Sequence, residues 1–348
     1  MLDSPFFYCL AFLILWSSNM ASGKGVSLTR LKTIYQRQQN AAWDASYKPG
    51  IWATPQEAPA ISRAYILTPA KLAGREVHLL STPERDAALL GFYHPDVVGL
   101  QEQRMLSPEP SVHPLWSYPG IDRSTLPALR GVIDVADRFG YLDLLPRVWA
   151  PDPDRPGEKM PLVFPWCGDL LWAISKTKSH VYCVNWSVKG TERDFSQKAG
   201  RLAAKHQKWE TPRTLLARHE IEAEYYKDVG IRTIRIPSEN IDRHVADNLR
   251  QLFLHHRRLL SLDAGQREEI LAKFHNAMRL GISPTEVIML LVERRGYSVD
   301  DCRSALYQAI WNRDLRVDLF RPILINCPLR PEVQDVIQKY ADWFREEA

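Results

Sequence analysis

Three side chains in this sequence are of the types that divalent-metal hydrolysis of a phosphodiester needs: Glu84, Asp169 and Lys189. Hard cations take carboxylate oxygens as ligands, and a cation near the attacking water stabilises charge as the bond breaks. Asp169 opens the apolar run DLLWAI, and Lys189 closes HVYCVNWSVK, with the polar turn SKTKS between them. The two runs read as a β-hairpin, so carboxylate and lysine stand on facing strands. On the second strand the period of two puts Tyr182, Val184, Trp186 and Val188 on one face. Cys183, Asn185, Ser187 and Lys189 share the other, so Asn185 or Ser187 could complete a coordination shell, directly or through water. Each residue also has a plainer reading. Lys189 is then a solvated strand end, Asp169 a turn or strand-edge residue, and Glu84 the third member of a capping box opened by Ser81.

The elements that must position these groups are legible in outline. A basic helix is expected near 27–43, followed by an extended stretch in which Pro49, Pro55 and Pro59 exclude helix. Ser81, Pro83 and Glu84 mark a helix start, His94-Pro95 ends that helix, and DVVGLQEQRML reads as a strand. Residues 107–130 are Pro-rich loop. After the hairpin, 211–230 reads as helix and 231–236 as strand, an order that suggests a mixed sheet flanked by helices. Beyond about residue 240 the pattern changes to helices with short connections. The stretches 283–296 and 298–315 each open on a serine with acidic residues in the first turn, and VDLFRPILIN after them reads as extended. A winged helix-turn-helix and a small helical bundle both fit that order.

The chain has 348 residues, enough for two or three domains, and its 45% apolar and 25% charged content is that of a globular protein. Five scattered cysteines with no C-x-x-C pair argue against a disulfide framework or a zinc knuckle and fit a reducing compartment. The net charge of +4 neither demands nor excludes a nucleic-acid partner. Its distribution is more telling, because residues 189–220 carry eight basic side chains against four acidic ones. Arg193, Lys198, Arg201, Lys205 and Lys208 follow the candidate catalytic strand directly, as phosphate neutralisation beside a scissile bond requires. A solvated helix face would look the same. The apolar run at 6–16 lacks the basic flank of a secretory signal and is short for a membrane span. Met20 opens a basic segment, so residues 1–19 read as a start-site artefact, with a genuine anchor or signal as the other reading. The rest of the chain reads as cytoplasmic, with no membrane partner.

Taken together, the N-terminal segments resemble TnsA, the endonuclease subunit of heteromeric bacterial transposases. The residues that carry the likeness are Tyr47, Pro49, Gln56, Glu57, Pro59 and Arg63, then His78, Leu79, Leu80, Ser81 and Glu84, then Glu102 and Gln103. Asp169 matches the family's acidic strand residue, and Ser187-Val188-Lys189 its Gln-x-Lys strand. The resemblance covers roughly residues 45–240. It implies a restriction-endonuclease-like fold of the PD-(D/E)xK class, with a mixed sheet flanked by helices. It also implies a helical or winged-helix region at 241–348, behind an N-terminal segment of 1–44. Glu84, Asp169, Ser187 and Val188 would then hold magnesium, two ions in the family pattern, with manganese as a substitute. Lys189 would orient or activate the water. A serine where the family has glutamine shifts ligation toward the Val188 carbonyl, Asn185 or water. The implied activity is cleavage of the 5′ strands at transposon ends, with transposon-end DNA, a TnsB-like transposase and a TnsC-like ATPase regulator as partners. Two other functions stay open: a weakened nuclease-fold subunit that binds DNA and assembles, and a stand-alone restriction-type nuclease.

Overall fold

The structure is a computed structural model that describes residues 25–60, 62–177, 180–196 and 212–347. The apolar run at 6–16 and the basic residues Lys198, Arg201, Lys205 and Lys208 lie outside the described residues.

Helix α1 (Leu28–Gln38) starts where the Ser27 side chain accepts from the Arg30 amide. A short antiparallel pair, β1 (Tyr65–Leu67) and β2 (Val77–Leu79), leads into α2 (Thr82–Tyr93). Ser81 caps α2 through the Glu84 amide, a proline occupies its first turn, and His94 ends it in extended conformation, as the sequence predicts. Strand β3 (Val97–Met105) follows. Helix α3 (Val132–Arg138) and the two-stranded ribbon of β4 (Arg147–Pro151) and β5 (Lys159–Val163) occupy the connection to the hairpin.

The expected hairpin is β6 (Cys167–Thr177) and β7 (His180–Lys189), antiparallel with Leu170 opposite Trp186. Helix α4 (Pro212–Lys227) then carries the chain to β8 (Arg232–Pro237), which lies parallel to β7. A parallel neighbour cannot be reached by a tight turn, and this connection, with a helix in it, supplies the necessary crossover. The sheet order is β3-β6-β7-β8, a mixed four-stranded sheet.

The alternation on β7 holds, but both faces are covered. Val184, Trp186 and Val188 enter a core with Ala87, Leu90 and Phe92 of α2. Cys183 joins a second core with Ile221 and Tyr225 of α4. Central strands in a sheet buried on two sides are stabilised from each. One close approach fixes the first layer. A Cβ on Gly91 would stand 2.3 Å from the Trp172 ring, so α2 rests its backbone directly on that indole. Trp172 in turn meets Trp186 edge-on at 5.5 Å.

The C-terminal region is helical: α5 (Arg243–Phe253), α6 (Ala264–Leu280), α7 (Pro284–Arg295) and α8 (Val299–Trp311). Ser283 and Ser298 cap α7 and α8, and Gly296 stands between them with φ +69°. The first core runs without a break from the sheet into these helices through Val245, Leu249, Leu306 and Ile310. Residues 317–326 form no strand; the nearest pairing is an isolated bridge from Val317 to Pro331. Helix α8 is buried along most of its length, and its first turn is acidic, with Asp300 and Asp301. Such a surface lacks the exposed basic face that a groove-reading helix presents. The chain end then returns across the sheet, where the Trp343 carbonyl accepts from Trp186 Nε1 at 2.7 Å and the Phe344 carbonyl from the Tyr182 hydroxyl at 2.8 Å. No helix among the described residues is long and apolar enough to cross a membrane.

Candidate metal centre

The β6–β7 ladder ends at Leu170 and Trp186, three residues before Lys189 on β7. Past that pair the backbone bonding gives way to a side chain: Asp169 Oδ2 accepts the Val188 amide at 2.7 Å. The same oxygen lies 3.6 Å from Lys189 Nζ. Aspartate and lysine are thus brought together at the opened end of the hairpin.

Glu84 reaches this end from the first turn of α2. A Cβ on Gly190, next to Lys189, would come within 4.0 Å of Pro83, which places the helix start against the strand end. The carboxylate is buried and turned back toward its own helix entry. Its Oε2 accepts from the Leu80 amide at 2.8 Å and from Gln103 Nε2 at 3.0 Å, and its Oε1 from the Ser81 hydroxyl at 2.9 Å. Burial, then the charge of Asp169, push the Glu84 carboxyl up to about 7.

An internal comparison separates Glu84 from a carboxylate that only caps. Ser283 and Glu286 repeat the spacing of Ser81 and Glu84 at the head of α7 and form a full capping box. Glu286, held by Ser283, has its carboxyl lowered from the ordinary value, as a carboxylate that only caps should. Glu84 departs in the opposite direction. Its capping bonds are present, and they do not account for its burial beside a second carboxylate.

The remaining sequence candidates fall into distinct places. Ser187 is 2% exposed and faces α4, with its Oγ 3.4 Å from His219 Nδ1. Asn185 donates to Glu222 Oε1 at 2.9 Å. Val188 lends its amide to Asp169. Arg193 is exposed in the turn after β7. Of the basic residues expected to face DNA, it alone is among the described ones.

Sequence reasoning missed what α4 adds. His219 and Glu222, three apart and therefore on one helix face, cover the polar side of β7. Burial, then Lys189 and Arg218, hold His219 at about 3, so its ring is neutral, and its Nε2 has no hydrogen-bond partner among the described residues. Glu222 lies over Gly168, where any Cβ would stand 3.1 Å from its Oε1. Burial and then Asp169 raise its carboxyl as well. The signal was the His-x-x-Glu spacing inside an otherwise apolar face. Arg218 donates to the Cys167 carbonyl at 3.1 Å, and Arg235 of β8 stacks over Phe195 at 5.7 Å.

These residues fit a hard divalent cation. The charge of Asp169 disfavours the ionised forms of the buried Glu84 and Glu222, one lysine stands beside it, and a bound cation would relieve that repulsion. Among the described residues there is no group of three or more His, Cys, Asp or Glu set to hold a metal ion. Ligation would therefore rest on Glu84, Asp169, the Val188 carbonyl and water, an oxygen set in keeping with magnesium, which retains several waters. Comparison with protein-family models and with curated proteins gives no match for this chain.

Proposed function

We propose that the chain is a metal-dependent DNA endonuclease of the restriction-endonuclease-like kind, acting as the TnsA-like subunit that cuts the 5′ strands at transposon ends. The observation that carries this reading is the convergence of Glu84, Asp169 and Lys189, distant in sequence, at one end of the hairpin, with the Glu84 carboxyl raised by burial and then by the charge of Asp169. The resemblance in residues 45–240 supplies the substrate and the partners.

When bound, magnesium would activate water and neutralise charge on the phosphate oxygens. The chain's own groups do the rest. The Val188 amide fixes one oxygen of Asp169, so the carboxylate cannot rotate away. Leu80, Ser81 and Gln103 fix Glu84 by three donors. Lys189, half-buried beside Asp169, presents a cation where an attacking water and a developing oxyanion would lie. Arg193 and the basic residues after it would steer the phosphate backbone to that end of the sheet.

Ser187 supports a second reading, a nuclease-fold subunit that no longer cuts, because its hydroxyl is turned under α4 and away from solvent. Incubation of the full chain with end-containing duplex, magnesium or manganese, and the TnsB-like partner distinguishes these. Strand scission lost in Lys189→Ala supports cleavage at this site. DNA retention with no scission in any combination favours the assembly role. Cutting of naked DNA without partners would indicate a stand-alone nuclease.

A further inference from the structure

Gln103 has φ +48°, which among the described non-glycine residues is shared only by Ala73 and Arg313 in sign. It lies within β3, where extended backbone is the rule, and its residue is 2% exposed. A non-glycine residue in the left-handed region is strained and persists only where its surroundings over-determine it. The surroundings here do so from three sides.

Glu102, immediately before it, is fixed by the buried Arg75, which donates to both carboxylate oxygens at 2.9 and 2.8 Å. The Glu102 carbonyl accepts from the Tyr47 hydroxyl at 2.7 Å. The Gln103 carbonyl accepts from the Gly50 amide at 2.9 Å, and a Cβ on Gly50 would stand 3.0 Å from that oxygen and 2.8 Å from Cys167 Sγ. A segment some fifty residues upstream therefore clamps the two peptide units on either side of Gln103. Beside this twist, the Gln103 side-chain amide Nε2 donates to Glu84 Oε2 at 3.0 Å.

We propose that Gln103 is a positioning residue, whose strained backbone exists to hold the Glu84 carboxylate in one orientation for a divalent cation. This rests on the metal-centre reading above. Groups behind a metal ligand set its orientation, and their loss weakens affinity about 10- to 100-fold. A twist that only shapes the strand, which keeps its register from Glu102–Leu170 to Arg104–Gly168, would have no such effect.

The test is manganese titration of the full chain by calorimetry, with melting temperature measured on the same samples. Gln103→Met keeps length and removes the donor, and Gln103→Gly removes the donor while releasing the backbone strain. Both should bind manganese about tenfold more weakly, and the glycine variant should do so without a matching fall in melting temperature. Wild-type affinity in either variant overturns the proposal alone. So does a parallel loss of affinity and stability in both, which is the pattern of a structural role. Absence of manganese binding in the wild type, or binding undiminished in Glu84→Gln, overturns the metal reading and this proposal with it.

Discussion

Replacing Glu84 by glutamine should stabilise the metal-free protein at alkaline pH, and the size of the effect follows from the site. The carboxyl moves from an ordinary 4.5 to about 7 on folding. Between those values the folded chain holds a proton that the unfolded chain has released, so stability falls as pH rises. The contribution is fully present below pH 4.5 and is lost as pH passes about 7. At about 1.4 kcal/mol per pH unit, the loss is on the order of 3 kcal/mol by pH 8. Glutamine does not ionise, and its geometry suits the site: its carbonyl can accept from Leu80 and Gln103, and its amide can donate to the Ser81 hydroxyl. Over 348 residues, at about 2.1 cal/mol/K of unfolding entropy each, 3 kcal/mol corresponds to about 4 °C. Scanning calorimetry in chelator from pH 5 to pH 8 should show the variant and wild type close together in acid and separating in favour of the variant above pH 7. Glu286→Gln should behave oppositely, losing stability at neutral pH, because its carboxyl is lowered on folding and stabilises above its unfolded value. Parallel curves for wild type and Glu84→Gln, or a destabilised variant at pH 8, would refute the reasoning.

Other expectations follow from single contacts. Asp169→Asn should keep the Val188 hydrogen bond and the fold yet weaken manganese binding at least tenfold by calorimetry; unchanged affinity would place the ligands elsewhere. Gly91→Ala should cost 1–3 kcal/mol or more in denaturant unfolding, roughly, because its Cβ meets a buried indole at 2.3 Å. Ser187→Gln, which the family pattern alone would favour, should cost about 1–3 kcal/mol, since Ser187 is 2% exposed beneath α4; full stability with raised activity would show that the strand end opens toward the metal. Phe344→Ala should destabilise by about 3 kcal/mol or more, since Phe344 is 3% exposed and packs edge-on against Trp186 at 5.0 Å.

The hairpin and the head of α2 were readable because each depends on local rules. Alternation and a polar turn define β6 and β7, and Ser81 with Pro83 defines a helix start. The burial of β7's polar face was not readable. Asn185 and Ser187 read as candidates for a coordination shell, but α4 lays Glu222 and His219 over them, and that contact spans more than thirty residues of chain. Gln103 was visible as part of a strand but not as a twist in it, since glutamine has no preference for positive φ and only Gly50, Tyr47 and Arg75 impose one. The apolar residues at 317–326 read as extended, but they run as turns and irregular chain, with one isolated bridge, from Val317 to Pro331, where a wing would need a ladder.

The central claim is that Glu84 and Asp169 share a divalent cation beside Lys189. Anomalous diffraction from manganese-soaked crystals addresses it directly. The expected result is a peak within coordination distance of both carboxylates, absent in crystals of Asp169→Asn. A peak elsewhere on the chain, with none between these two side chains, would contradict the claim.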